Sequence, residues 1–323
     1  MARNKSNIIE LKKEQWVSRT SKWLRVSEET TRHLLSIQRQ QSLRINPLIN
    51  DPKSTIEHLR QLDWVGEPVQ WSPLGYTITN GLDSLKTSRL LESGAIYIQN
   101  SASWIPVLAL DVQKDDTILD VCAAPGGKTS HISSITYNSA TITANDNSRP
   151  RLAKLRSNLA RLGVKNVEYT LYDATRLATK LDGRQYDKIL IDAPCSGEGM
   201  MSLSNDKSFT TWSVAHIKRL QQVQKKILTQ AWQLLKPGGT LVYSTCTMAP
   251  EENEAVVDYL LRRYSDAWVQ QIKLELKNRV NPVDAWNGKK FSKQLQFSIR
   301  LIPSHEAEAF FVCKLTKIKN TIT

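Results

Sequence analysis

The chain has 323 residues, 40% of them hydrophobic, and 44 Lys and Arg against 31 Asp and Glu give a formal net charge of +13. That length allows one large domain and a smaller one, and the excess of cations points to an anionic partner. No apolar run approaches the ~20 residues of a membrane span, the N-terminus lacks the apolar stretch of a signal peptide, and four widely spaced cysteines without CxxC or Cys/His clusters argue against a disulfide framework or structural zinc.

Residues 4–40 read as helical and amphipathic, with Leu24, Leu34, Leu35 and Ile37 among charges. Leu43-Arg-Ile-Asn-Pro-Leu48 reads as a short strand. Ser54-Thr-Ile-Glu57 is a capping-box pattern opening a short helix through Leu62. Pro68, Pro73 and Gly75 punctuate the next stretch, and a strand is expected from Gly75. Residues 1–90 are thus expected to form a small helical and α+β region.

Residues 91–323 have a different rhythm. Strands are expected at 117–122, 140–146, 167–173, 186–192 and 240–246. Helices are expected from Lys128, from Pro150 to Leu162, from Val214 to Leu235, and from Glu251 to Tyr264. Alternating strands and helices with short connections mean an α/β fold with a parallel, doubly wound sheet. Such sheets bind ligands beyond the carboxyl ends of their strands. Asp146, Asp173, Asp192, Cys195 and Cys246 all lie at such ends. Cys313, inside the apolar run Phe310-Phe-Val-Cys, reads instead as a small buried hydrophobe.

Two stretches lack any acid: Lys207–Pro250, with Lys218, Arg219, Lys225, Lys226 and Lys236, and Asn147–Val167, with Arg149, Arg151, Lys154, Arg156, Arg161 and Lys165. One such cluster is commonly just a solvated helix face. Two on one chain favour a phosphate backbone over a membrane surface, since neither carries a strong aromatic face.

Cys122-Ala-Ala-Pro-Gly-Gly-Lys128-Thr129 nearly matches a phosphate-binding P-loop. Cysteine replaces the first glycine, and Pro125 removes a backbone donor from the loop that would wrap the phosphates. A turn that brings backbone close to a nucleoside cofactor fits better. Asp146 could then accept from both ribose hydroxyls and Asp173 from an adenine amine, although either carboxylate alone reads equally well as a helix cap. A dehydrogenase would show GxGxxG, which is absent.

With these segments in view, the chain resembles the Sun/Fmu-type RNA (cytosine-C5) methyltransferases, and among them the bacterial 16S rRNA enzymes. The resemblance runs from about Leu43 to Leu315. It rests on Arg44-Ile-Asn-Pro-Leu, Gly94-Ala-Ile-Tyr-Ile-Gln-Asn-Ser, Asp120-Val-Cys-Ala-Ala-Pro-Gly-Gly-Lys-Thr, Asp192-Ala-Pro-Cys-Ser-Gly-Glu-Gly, Lys236-Pro-Gly-Gly-Thr-Leu-Val-Tyr-Ser-Thr-Cys and Pro250-Glu-Glu-Asn-Glu. It implies a class I S-adenosylmethionine methyltransferase fold, Rossmann-like, with a seven-stranded sheet whose last strand, Phe310–Leu315, is antiparallel. It implies S-adenosylmethionine as cofactor, held by Cys122, Ala123, Ala124, Pro125, Gly126, Gly127, Lys128, Asp146, Asp173 and Asp192.

The resemblance also implies the chemistry. Carbon 5 of cytosine is a poor nucleophile until a thiolate adds at C6, and the family assigns that thiolate to the ThrCys motif, here Cys246. It assigns release of the C5 hydrogen to the ProCys cysteine, here Cys195, and a protonated Asp192 would stabilise the charge at N3 and O2. Lys128 could approach cofactor or base, or simply open a helix. Trp212, after the ProCys motif, could stack a splayed base. The five histidines form no cluster and read as surface or packing residues. The expected partner is rRNA or tRNA, in a cytoplasmic monomer without metal or membrane contact. Residues 1–90 are expected to help hold that RNA through Lys12, Lys13, Arg19, Lys22 and Arg25. A DNA cytosine methyltransferase would not need the ThrCys thiol. A non-catalytic RNA-binding assembly factor would not need both thiols and three strand-end carboxylates.

Overall fold

The computed structural model describes residues 2–319, so Met1 and the end of the basic tail lie outside it. Helices α1 (Ala2–Leu24) and α2 (Glu28–Leu35) replace the single helical stretch expected over 4–40. The break falls at Arg25, whose φ is +60°, and Ser27 caps α2 by accepting from the Thr30 amide. Next come β1 (Ser42–Ile45), α3 (Pro52–Arg60), β2 (Val65–Pro68), β3 (Gly75–Asn80), α4 (Leu82–Lys86), α5 (Arg89–Ser93) and β4 (Ile96–Ile98). The cap of α3 is Asp51, not Ser54: its carboxylate accepts from the Ser54 amide at 3.1 Å, and Pro52 occupies the first turn, where no amide is needed. The four strands form an antiparallel sheet in the order β2-β3-β1-β4. Leu43, Ile45, Leu59, Ile78, Leu85 and Ile96 fill its core.

The larger sheet begins after α6 (Ile105–Leu110). It is built from β5 (Thr117–Asp120), α7 (Gly127–Thr136), β6 (Thr141–Asn145), α8 (Arg149–Arg161), β7 (Val167–Thr170), α9 (Leu177–Lys180), β8 (Tyr186–Asp192), α10 (Val214–Gln233), β9 (Leu235–Thr245), α11 (Glu254–Arg263) and β10 (Ala267–Gln270). Five parallel strands stand in the order β7-β6-β5-β8-β9. The last strand, β15 (Phe310–Lys317), lies antiparallel between β9 and β10. Those seven strands are the core that the resemblance implies. The structure adds β11 (Arg279–Val280) and β14 (Ile299–Leu301) on the outer edge of β15, making nine, and a separate two-stranded ribbon of β12 (Ala285–Trp286) and β13 (Lys289–Lys290).

Alternation along the strands explains the layers. Leu119, Ile189, Ile191, Leu241 and Tyr243 face the helices α9, α10 and α11, while Ile118, Leu190 and Val242 face α6 and α7. With both faces covered, the apolar side chains of the central strands are buried on either side. Strand order reverses at β5, whose neighbours are β6 and β8, and that opens a crevice at its carboxyl end.

The N-terminal helices do not cover the small sheet. Trp16, Val17, Trp23 and Leu35 pack instead with Met201, Phe209, Trp212, Met248 and Ala309, mostly on the loops that follow β8 and β9. Their cations reinforce that seat: Lys12 donates to the Phe209 carbonyl at 2.7 Å, Lys13 pairs with Asp206 at 2.7 Å, and Arg19 with Glu251 at 2.9 Å. Lys12, Lys13 and Arg19 are thus engaged within the fold, while Arg25 pairs with Asp284 at the exposed surface. No helix among the described residues is long and apolar enough to cross a membrane.

Deeper in, Arg300 on β14 holds Glu254 through Nε at 2.9 Å, with side-chain exposures of 1% and 0%, and stacks over Trp23 at 4.5 Å. Removing one partner strands the other charge without water. Arg300→Ala is expected to destabilise the protein by about 3–5 kcal/mol, read from urea unfolding.

Candidate active site

The crevice holds a cavity of about 290 Å³ at the carboxyl ends of the five parallel strands, β5 to β9. Val121, Ala124, Val223 and Ile227 give it apolar walls, and Asp146, Asp173 and Asp192 bring three carboxylates, one from the end of each of three strands. Cys122, Cys195 and Cys246 line it as well. The glycine turn forms its shoulder. Gly126 has φ +106°, and a Cβ there would come within 2.9 Å of Leu155 on α8, so only glycine lets the turn lie against that helix.

Asn145, which sequence reasoning does not single out, locks the crevice open. Its amide donates to the Val121 carbonyl at 3.0 Å and the Tyr172 carbonyl at 3.1 Å, and its oxygen accepts from Thr170 and the Tyr172 amide. Asp146 accepts from the Ser148 amide and pairs with Arg151 at 3.2 Å. Asp173 caps the short turn that succeeds β7, accepting from the Thr175 amide and hydroxyl, while still bordering the cavity. Capping and ligand contact are thus compatible here. A carboxylate pair able to accept from ribose hydroxyls and an exocyclic amine, set against apolar walls, suits a nucleoside such as the adenosyl moiety of S-adenosylmethionine.

At the inner end of the cavity two sulfurs meet. Cys195 lies three residues past the end of β8, Cys246 one past β9, and their Sγ atoms are 3.4 Å apart. The hydrogen bond to Cys246, then burial, then the charges of Cys246 and Glu252, push the Cys195 thiol well above the ordinary range. Beside them Lys128 Nζ sits 2.6 Å from Asp192 Oδ2, and the Ser244 hydroxyl donates to Asp192 Oδ1 at 3.0 Å. Burial works against the Lys128 charge, but the Asp192 charge and hydrogen bond, with Cys246 and Asp120 behind them, raise it above its ordinary value. Lys128 is no exposed helix opener: its side chain is 11% exposed and stacks over Phe310. Asp192 therefore meets an ammonium on one oxygen and a hydroxyl donor on the other.

Trp212 does not face the site. It is buried, its indole donating to Glu198 at 2.9 Å and its ring packed on the edge of Phe209. Cys313 is fully buried under α10 and α11, as its apolar run suggests.

With two adjacent thiols beside a cavity that bears three strand-end carboxylates, comparison with known proteins decides the class. The profile of the family described as 16S rRNA methyltransferase RsmB/F matches residues 107–316. The chain belongs to this family. It is an S-adenosylmethionine-dependent RNA cytosine-C5 methyltransferase. It is 38% identical over 279 residues to the tRNA (cytosine(49)-C(5))-methyltransferase of Pyrococcus abyssi, covering 85% of this chain and 88% of that protein. It is 34% identical over 283 residues to the ribosomal RNA small subunit methyltransferase F of Serratia proteamaculans, covering 86% of this chain but only 57% of that one. The crystal structure of a methyltransferase homolog from Pyrococcus horikoshii superposes with a TM-score of 0.76 at 30% identity, over 93% of this chain and 99% of that one.

In this family member the strand leading into the cavity ends on a second residue that sequence reasoning does not single out. Asp120 is buried, accepts from Thr129 at 2.7 Å, and has its other oxygen unpartnered. Burial, opposed by Thr129 and Lys128 and helped by Asp192, lifts its carboxyl to about 7. A carboxyl with a raised native value holds its proton more tightly when folded, so its contribution to stability declines as pH rises from 3.8 to about 7 and is flat above. Asp120→Asn removes that decline. The urea midpoint of the variant minus that of wild type is expected to increase between about pH 5 and about 7 and then level; parallel curves would contradict the burial of an ionisable Asp120.

Proposed function

We propose that Cys246 adds covalently to C6 of a cytosine in RNA and that Cys195 completes the reaction by taking the C5 proton. The observation that carries this reading is the 3.4 Å approach of the two sulfurs in the lining of the cavity that also bears Asp146, Asp173 and Asp192. The Cys246 thiolate forms the bond to C6, and the electron pair moves towards N3 and O2 of the ring. The Lys128 ammonium, aimed by Asp192, stabilises the charge that develops there. Bound S-adenosylmethionine supplies the electrophilic methyl group that the activated C5 takes. In the adduct Cys246 is an uncharged thioether. The leading cause of the raised Cys195 value, its hydrogen bond to Cys246, has then gone. Cys195 becomes easier to ionise at the step that needs a base. Cys195 then gives its own proton to solvent, its thiolate accepts the C5 proton, the C6–S bond breaks, and Cys246 leaves as thiolate.

Asp146 and Asp173 bind the nucleoside part of the cofactor, with Cys122, Ala123, Ala124, Pro125, Gly126 and Gly127 shaping the turn above it. The target base must leave its stack to reach Cys246, which favours a single-stranded or loop cytosine. The chain divides at about residue 90 into an N-terminal part that helps hold RNA and a part that carries the chemistry. The acid-free segments around α8 and α10 supply cations for phosphates, and binding is expected to weaken with salt.

We take small-subunit ribosomal RNA as the target, because the matching family profile is described as a 16S rRNA methyltransferase. A transfer RNA target is the second reading, favoured by the 88% coverage of the Pyrococcus abyssi enzyme against 57% of the Serratia one. Bisulfite sequencing of total RNA with and without the gene decides between them: loss of one protected cytosine in 16S rRNA supports the first, and loss confined to tRNA overturns it. For the mechanism, Cys246→Ala is expected to abolish both methylation and adduct. Cys195→Ala is expected to accumulate a protein–RNA adduct seen as a slow band on a denaturing gel. Free turnover by Cys195→Ala without adduct would refute the division of labour.

A further inference from the structure

Glu252 is fully buried and hydrogen-bonds to neither sulfur. Its carboxylate is nevertheless joined to both cysteine loops. Oε2 accepts from the Ser196 amide at 3.0 Å and from Gln224 Nε2 at 2.8 Å. Oε1 accepts from the Ser196 hydroxyl and, at 3.4 Å, from the Thr247 hydroxyl. Ser196 directly succeeds Cys195 and Thr247 directly succeeds Cys246, and their two hydroxyls are 2.8 Å apart. Gln224 closes the circuit, its same amide nitrogen reaching the Pro194 carbonyl at 2.8 Å on the other side of Cys195. From behind, the Glu252 carbonyl accepts from Tyr243 on β9 at 2.7 Å, so the clamp is anchored to the sheet.

We propose that Glu252 is a positioning residue that sets the approach of Cys195 to Cys246 by tethering Ser196 and Thr247 to one carboxylate. This rests on the two-thiol reading given above and deepens it. A loop without regular structure leads from β8 to Cys195, and both cysteines lie beyond the last residue of their strand, where no ladder fixes one sulfur relative to the other. Removing the carboxylate leaves the Ser196 amide and the Gln224 amide as buried donors short of an acceptor, and the loop must move to satisfy them.

The donor pattern separates geometry from charge. Oε2 faces two obligate donors, whereas Oε1 faces two hydroxyls that can turn to accept. Glutamine fits the same place: its oxygen takes the Oε2 position and its NH2 donates to Ser196 and Thr247. Positioning is therefore expected to survive Glu252→Gln and to fail in Glu252→Ala.

Two measurements test this on the full chain. In steady-state methylation of RNA, Glu252→Ala is expected to lower kcat on the order of 10²-fold, the cost of about 1 Å of misplacement, with KM for RNA and cofactor within about twofold, and Glu252→Gln is expected to restore kcat to within about threefold of wild type. Phenylarsine oxide, which bridges two neighbouring thiols and binds single ones weakly, reads the pair without any turnover. Wild type and Glu252→Gln are expected to retain it stoichiometrically, while Glu252→Ala and the Cys195→Ala control release it to a monothiol wash. Wild-type kcat and arsenical retention in Glu252→Ala, or a roughly tenfold loss of kcat in a cooperatively melting Glu252→Gln, overturns the proposal. If Glu252→Ala does not fold, Ser196→Ala with Thr247→Val cuts the same tether from the other side, and unchanged kcat and arsenical retention there overturn it equally. Arsenical capture by wild type together with a Cys195→Ala variant that makes no adduct with RNA would instead fault the covalent reading and leave the clamp standing.

Discussion

Three carboxylates in four consecutive residues, Glu251, Glu252 and Glu254, are withdrawn from water, with exposures of 5%, 0% and 0%. Burying a carboxylate costs several kcal/mol unless it is paired or hydrogen-bonded, so each of the three must find partners elsewhere in the chain. They find them on different elements. Glu251 takes Arg19 from α1, Glu252 takes Ser196 and Gln224 from the β8 loop and α10, and Glu254 takes Arg300 from β14 and the Val283 amide. Asn253 between them bonds Thr245 and the Thr247 carbonyl at the end of β9. The turn ahead of α11 is thus a hub to which the N-terminal helices, both cysteine loops and the C-terminal strands are all tied. Its satisfaction is a condition for every other part of the site.

Around that hub the backbone comes close enough to exclude side chains. Gly199 donates to the Cys246 carbonyl at 2.9 Å, and a Cβ on it would lie 2.1 Å from the Ala309 carbonyl and 2.8 Å from that of Cys246. The Gly-Glu-Gly run after Cys195 is therefore a packing requirement. Glu198 between the glycines turns inward, where burial raises its carboxyl and Trp212 and Thr247 supply its hydrogen bonds. Glu252, whose own carboxyl burial lifts to about 7, feels that neighbour as a like charge. Two acids sharing one desolvated neighbourhood make this region sensitive to pH as well as to packing.

The thiol pair is set by strand pairing. Parallel pairing of β8 with β9 aligns Asp192 with Ser244, and the two chains then leave the sheet side by side with Cys195 and Cys246 facing one another. Lys128 and Asp192 add a fixed dipole at the same place, built from the first helix after β5 and the end of β8. No part of this needs movement of a domain; it results from which strand ends are neighbours.

The alternation of apolar runs and helices was legible in the chain, since period-two and period-3.6 patterns are local, and so were the parallel sheet and the strand-end positions of Asp146, Asp173, Asp192, Cys195 and Cys246. Motif residues named the chemistry. What contacts decided was invisible to local pattern: that Asp51 rather than Ser54 caps α3, that Lys12, Lys13 and Arg19 bind carbonyls and acids of their own chain, that Trp212 is walled in, and that Lys128 turns inward to pair with Asp192. Each of these but the cap depends on a partner far away in sequence, Arg19 and Glu251 being 232 residues apart. Local propensity and motif spacing are set by covalent neighbours, whereas the charge state and orientation of a buried side chain are set by whatever the folded chain places against it.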